Sequence, residues 1–404
     1  MYKKVLQEEN SNYKSRKDIY VSLVEMEKIL RYPLAKRTFQ LFLLHEDETI
    51  KQDITPYVLM DGSLEKTYQQ GQTRSMSINL INSTNIWNPS PVKGQLFANS
   101  KFKLQMGVFL KDAYYWTDEG VFVCQDPELD DADANKVVSI ELFDKFALLD
   151  GTIMGTTETD YEIPLGTNIY QAVRSLLRLP KDNLGNPYDS QHIMFPLKYM
   201  NEKTAYTIQK TANNTVGEII TDLANSLSCD VFYDEVGRLT FRDNLDDLDY
   251  HNRNAIWTYR ENEIIGVRRK DEWSKIKNRY IVIGSNINGV QCKGIVENTN
   301  ARSPYNVNGS FGIRPEIIED SLIYSNNYCE QRGKYEMKKN TMRNTSISFE
   351  SIYIPHLTPN DLVRWSFNNY GYINENFIVD SVSIPLNPKE RMSVSITNLD
   401  MLPL

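Results

Sequence analysis

Apolar and polar positions alternate through most of the chain. In Phe102-Lys103-Leu104-Gln105-Met106 and Val138-Ser139-Ile140-Glu141-Leu142 each apolar residue lies two positions from the next, the period of a half-buried strand. From Phe39 to Leu149 such runs are divided by Gly62, Gly71, Asn88-Pro89-Ser90-Pro91 and Gly120, which mark turns. The period then changes. Asn168, with Gln171 three residues on, opens a helix whose apolar set is Ile169, Ala172, Val173, Leu176 and Leu177. Thr215 with Glu218 forms a capping box ahead of Val216, Ile219, Ile220, Leu223, Ala224 and Leu227. These signals predict helices over about 168–179 and 215–228. Next, Cys229 to Tyr233, Asp234-Glu235-Val236-Gly237 and Arg238 to Phe241 read as strand, turn and returning strand. Residues 243–254 are acidic and read as a loop, 278–297 return to β-structure, and a more polar helix is predicted over about 318–339. The first 37 residues are ambiguous, because Ile19, Leu23, Met26 and Leu30 fit a helix while Ile19, Val21 and Leu23 fit a strand. They are read as an arm or short helix.

Part of the strand pattern occurs twice. Val363, Trp365 and Phe367 alternate with Arg364 and Ser366 as Phe102, Leu104 and Met106 alternate with Lys103 and Gln105. Phe377-Ile378-Val379 then answers Val121-Phe122-Val123, and Met392-Ser393-Val394-Ser395-Ile396 answers Val138 to Leu142. Each copy has one apolar and one polar face, which suits a small antiparallel barrel or sandwich. The expected class is α+β, mainly β, with two related small antiparallel β-barrels at 38–150 and 341–404 flanking a mixed helix–strand segment at 151–340.

Composition narrows the function. The 404 residues carry 45 Lys+Arg against 53 Asp+Glu, a formal charge of -8, unlike the cationic surface that coats nucleic acid or an anionic membrane. The apolar share of 41% supports sizeable cores. Cys124, Cys229, Cys292 and Cys329 form no CxxC pair, which points to free thiols in a chain made in a reducing cytosol. The amino terminus has no apolar signal-like region, and no apolar run approaches the ~18 residues of a membrane span. No stable membrane insertion is expected.

Candidate chemistry is sparse. His45-Glu46-Asp47-Glu48-Thr49 begins like a zincin motif but lacks the second His, so a solvated turn is expected. Asp126, Glu128, Asp130, Asp131 and Asp133 suggest a calcium loop, yet Asp131 stands where an EF-hand needs Gly and Val137 where it needs Glu. Asp243, Asp246, Asp247 and Asp249 fail the same test. Arg268, Arg269, Lys270, Trp273, Lys275, Lys277, Arg279 and Tyr280 interleave basic and aromatic groups, read as a solvated face or subunit contact in preference to a nucleic-acid stripe. Sequons at Asn82, Asn213, Asn308 and Asn344 are ordinary in an Asn-rich chain. No catalytic, cofactor-binding or metal-binding residue is assigned.

Several segments, in their order, resemble the tail hub or baseplate hub proteins of tailed bacteriophages, including the Tal-type tail-tip proteins of phages infecting Gram-positive hosts. They are Asp53-Ile54-Thr55-Pro56-Tyr57 with Gly62-Ser63-Leu64 and Arg74 to Leu80, Gly120 to Val123 with Val138 to Gly151, and Ile163-Pro164-Leu165-Gly166-Thr167. The helix and hairpin at 215–241, Glu297-Asn298 with Ser303-Pro304-Tyr305, and Leu357 to Val363 complete the set. The resemblance implies a non-enzymatic virion protein at the tail tip or baseplate, synthesised in the host cytoplasm and needing no cofactor. It further implies a homotrimeric ring whose six barrels match the tail tube to the tip and line part of the DNA ejection channel. The implied partners are distal tail and tail-tube proteins, tip or spike proteins, the tape measure protein in the channel, and DNA in transient passage without specific binding. The competing readings are a tail-tip peptidoglycan or polysaccharide hydrolase and a peripheral receptor- or carbohydrate-binding β-protein.

Overall fold

The computed structural model describes residues 2–6, 17–21, 23–31, 36–88, 96, 99–110, 113–130, 136–205, 207–227, 229–243, 254–271, 273–287, 289–320, 323–341, 345–355, 357–367 and 371–398. Contacts divide the chain into two units: Met1–Asp243 with Ser351–Thr358 and Ser381–Ser393, and Asn244–Glu350 with Pro359–Asp380 and Val394–Leu404. Residues 341–404, read from the sequence as one domain, thus contribute to both.

In the first unit, β1 (Tyr2–Leu6) pairs with β2 (Lys17–Val21) and α1 (Leu23–Leu30) follows, so the ambiguous spacing after Ile19 resolves into strand and then helix. Eight strands come next: β3 (Arg37–Leu44), β4 (Ile50–Asp53), β5 (Ser63–Thr67), β6 (Arg74–Ile81), β7 (Lys101–Leu110), β8 (Ala113–Cys124), β9 (Glu128–Asp130) and β10 (Val137–Asp144). Seven of them lie in the antiparallel order β5-β6-β10-β8-β7-β3-β4, and β9 pairs off this path with β10. Ser381–Pro385 add to the free side of β5, with Ile384 opposite Leu64. Arg37, at the start of β3, then donates from Nη2 to the carbonyls of Pro385 at 3.2 Å and Glu390 at 2.8 Å, and to that of Asn387. The two ends of the ladder therefore meet, and the sheet rolls into a barrel. Its interior is the apolar face of the alternating runs: Leu64, Met76, Leu104, Phe122, Ile140 and Leu142 are all buried.

The rest of the first unit is a small α/β layer. It contains β11 (Tyr161–Ile163), α2 (Ile169–Leu177), β12 (Ile208–Lys210), α3 (Val216–Ser226), β13 (Cys229–Tyr233) and β14 (Leu239–Asp243). The Asn168 side chain accepts from the Gln171 amide at the start of α2, and Thr215 and Glu218 cap α3 reciprocally, satisfying amides that the first turn leaves free. Val173, Leu176, Ile220 and Leu223 pack on Val231 and Phe241 of the β13–β14 hairpin.

The second unit contains β15 (Trp257–Tyr259), β16 (Ile264–Asp271), β17 (Arg279–Ile287), β18 (Val290–Glu297), β19 (Pro315–Glu319), α4 (Asn326–Thr341), β20 (Thr345–Ser351), β21 (Leu362–Phe367), β22 (Tyr372–Pro385) and β23 (Met392–Asn398), the last residues of β20 and β22 and the first of β23 belonging to the first unit. The helix expected over 318–339 begins later. Pro315–Glu319 instead run parallel to β17, where the ladder satisfies their backbone. The helix α4 packs closely on β18: a Cβ on Gly294 would stand 2.5 Å from the Glu330 backbone nitrogen. The repeated strands share an order, while the pairing register of the second set is shifted by one residue from that of the first. In β7–β8, Phe102 faces Phe122; in β21–β22, Val363 faces Phe377; β10 then flanks β8 as β23 flanks β22.

Candidate functional site

Three polar features stand out in the first unit, one inside the barrel, one beneath it and one on its outer face. Inside, Glu119 is the extra residue of a bulge, since Leu104 pairs with Gly120 and Gln105 with Asp118. A bulge re-aims one side chain, and here the carboxylate is buried. It forms an ion pair with Lys66 and accepts from Thr117 Oγ1 and Tyr353 Oη, both at 3.1 Å. The Arg37 guanidinium lies 5.4 Å from the Tyr353 ring centroid. Burial, and then the Glu119 charge, push the Tyr353 hydroxyl far above its ordinary pKa. One network thereby joins β3, β5 and β8 to the segment 351–358.

Below the barrel, the hairpin turn at 45–49 is not a simply solvated turn. Asp47 Oδ1 accepts from the Thr49 amide and hydroxyl, which holds its carboxyl below the usual range. Glu48 adopts φ +66° and turns its side chain inward. Its Oε1 lies 2.7 Å from Lys145 Nζ and 3.4 Å from Lys101 Nζ, while Glu46 pairs with Lys101 and Lys181. Lys145 Nζ also lies 2.9 Å from Asp189 Oδ2 and 5.0 Å from the Tyr233 ring centroid. Next to it, Asp144 caps the 3₁₀ turn Lys145–Leu148: its oxygens accept from the amides of Thr73 at 2.7 Å, Arg74 at 2.9 Å and Phe146 at 3.0 Å. Full burial outweighs these donors and pushes the Asp144 carboxyl up to about 6.

On the outer face of β6 and β10, Asp61, Asp126, Glu128 and Glu141 line a pocket of 210 Å³ with Asn79 and Ser139. Asn79 Nδ2 donates to Asp61 at 2.9 Å, and Ser139 Oγ donates to Asn79 Oδ1 at 2.6 Å. Sequence proximity suggested Asp126 and Glu128; Asp61 and Glu141 join them only through strand pairing. Among the described residues no three His, Cys, Asp or Glu side chains are grouped to hold a metal ion. Asp131, Asp133, Asp246, Asp247, Asp249 and Asn344 lie outside the described residues. Asp243 is buried and pairs with Lys198 and the Tyr199 hydroxyl.

Three of the six basic residues of this stretch have acidic partners. Arg269 pairs with Asp271 at 3.1 Å, Lys277 with Glu316 at 3.4 Å and Arg279 with Glu297 at 2.6 Å, whereas Trp273 is exposed. Asn82 is buried, its amide held by Asn88 and the Trp87 backbone, so that sequon is inaccessible.

No protein-family model matches the chain, and no curated protein matches its sequence. Solved structures do share its fold. The 43 kDa tail protein of prophage MuSo2 from Shewanella oneidensis is 12% identical with a TM-score of 0.58, over 90% of this chain and 99% of that one. The tail protein from Neisseria meningitidis MC58 is 9% identical with a TM-score of 0.55, over 90% and 97%. Prophage tail protein gp18 from Listeria monocytogenes EGD-e is 12% identical with a TM-score of 0.53, over 89% and 95%. A chain of the Francisella PdpA–VgrG complex aligns with a TM-score of 0.51 at 10% identity, over 92% of this chain and 53% of that one. The chain has the mainly β, α+β fold of these tail proteins. They come from Shewanella, Neisseria and Listeria alike, so the likeness singles out no class of host.

Proposed function

We propose that the chain is a structural, non-catalytic subunit of a phage tail, the central hub of its tip or baseplate. The observation that supports this most is the fold likeness to three tail proteins over about nine-tenths of the chain. Three copies form a ring between the tail tube and the tip or spike proteins, with the tape measure protein and then DNA passing through its channel. The matching meanders β7-β8-β10 and β21-β22-β23 suit that role, because duplicated barrels give six similar units from three chains and a closed ring needs complementary flanks. The channel wall is acidic, since a cationic wall would hold DNA phosphates and retard ejection. The pocket of Asp61, Asp126, Glu128 and Glu141 is the surface of the first unit that faces the channel on this reading. Cryo-electron microscopy of the intact particle tests it. Three copies around the tail axis with an acidic lumen are expected. A peripheral position, or a lumen lined by Lys and Arg, would overturn the assignment.

A further inference from the structure

We propose that the folded chain joins Lys145 to Asp189 by an intramolecular amide bond. Salt bridges between buried groups are common, but this one has the parts of a condensation site. The Lys145 and Asp189 side chains are 1% and 3% exposed, and Glu48, which also pairs with Nζ, is 10% exposed. The Tyr233 ring closes the space over Nζ, and Phe146 packs edge-on against Tyr233 with ring centroids 6.5 Å apart. Amide formation from an amine and a carboxylic acid is opposed in water by the solvent itself. A dry site that holds the two groups in contact removes that opposition and makes the step intramolecular.

The neighbouring groups assign the roles. Asp189 Oδ2 lies 2.9 Å from Nζ, and the Tyr233 hydroxyl hydrogen-bonds to the same carboxyl, so the amine contacts the departing oxygen while the phenol holds the group in place. Asp189 Oδ1 accepts from the Gln191 backbone amide at 2.9 Å, which fixes the carboxyl and stabilises negative charge on that oxygen as Nζ adds to Cγ. Glu48 Oε1, 2.7 Å from Nζ, takes protons from the lysine and delivers them to Oδ2. The Nζ–Cγ bond forms and the Cγ–Oδ2 bond breaks. The three protons of the ammonium end as one amide N–H and two on the departing water, and no oxidant or cofactor takes part. The product ties the end of the barrel to the connection between α2 and β12 with a covalent bond.

The test is intact mass spectrometry of the denatured full-length protein, followed by peptide mapping. The wild type is expected to be lighter than its sequence by one water, with the peptide containing Lys145 linked to that containing Asp189. Lys145→Arg removes the loss, and Glu48→Gln slows the linkage by roughly a hundredfold or more. Asp189→Asn keeps an acyl partner and forms the same amide with loss of ammonia, so its product has the mass of the wild-type product while its deficit from its own sequence is that of ammonia and not of water. A folded wild-type protein with its full sequence mass overturns the proposal. So does a water loss that survives Lys145→Arg, which places the dehydration elsewhere.

Discussion

Lys66 and Glu119 meet inside the barrel with 3% and 1% of their side-chain surfaces exposed. Removing one partner of such a pair leaves the other charged and unsolvated, at a cost of about 3–5 kcal/mol. Glu119→Leu alone is therefore expected to lower the urea midpoint severely, and Lys66→Met added to it to recover much of the loss. Half of this pair was legible in the sequence. Lys66 shares the parity of Leu64, so alternation puts it on the apolar face, but Glu119 is re-aimed by a bulge that depends on the partner strand. Asp144 supplies a pH-dependent term of the opposite kind to most carboxylates. Its carboxyl is raised to about 6 in the fold against an ordinary value near 4, so the native state binds this proton more tightly than the unfolded chain. The resulting stabilisation is complete below about pH 4 and is lost as pH rises to about 6. Urea midpoints measured across that window for wild type and Asp144→Asn should show the decline in the wild-type minus variant difference.

The elements divide into those specified locally and those specified by contact. The starts of α2 and α3 were readable because Asn168 and Thr215 sit immediately before apolar residues at helical spacing, and capping is a bond within one turn. Thr215→Ala removes one half of the capping box and should cost about 1 kcal/mol, read from thermal or urea unfolding. The helix α4 was legible in kind and misplaced at its start. Its cap is Ser325, whose hydroxyl accepts from the Tyr328 amide at 3.2 Å, a signal present in the sequence. Pro315–Glu319 become a strand only because β17 offers a parallel edge. The close approach of α4 to β18 depends on a position without a side chain. Gly294→Val would drive a branched group into the backbone at Glu330, and the helix must lift or the sheet must bend. A large loss of thermal stability in the full chain is expected, exceeding that of Thr215→Ala.

The whole molecule departs most from a reading taken along the chain. The alternating runs identified a barrel, the repeat identified a second set of similar strands, and together they suggested consecutive domains. Pattern alone cannot say which strands pair across long stretches of chain, and here Ser381–Pro385 complete the first unit by pairing with β5. A fragment of residues 1–350 is accordingly expected to aggregate, because it leaves the β5 edge open and Arg37 without its carbonyl partners. Size-exclusion chromatography of that fragment, alone and co-expressed with residues 345–398, should show monodisperse protein only in the second case. The clamp between Arg37 and Pro385, 348 positions apart, also sets a schedule for the cell. While the ribosome is still upstream of residue 381, the first unit lacks its closing strand and displays an unfinished surface. A closed barrel therefore marks a chain translated past that point, and a truncated product betrays itself by its open edge without a separate proofreading factor.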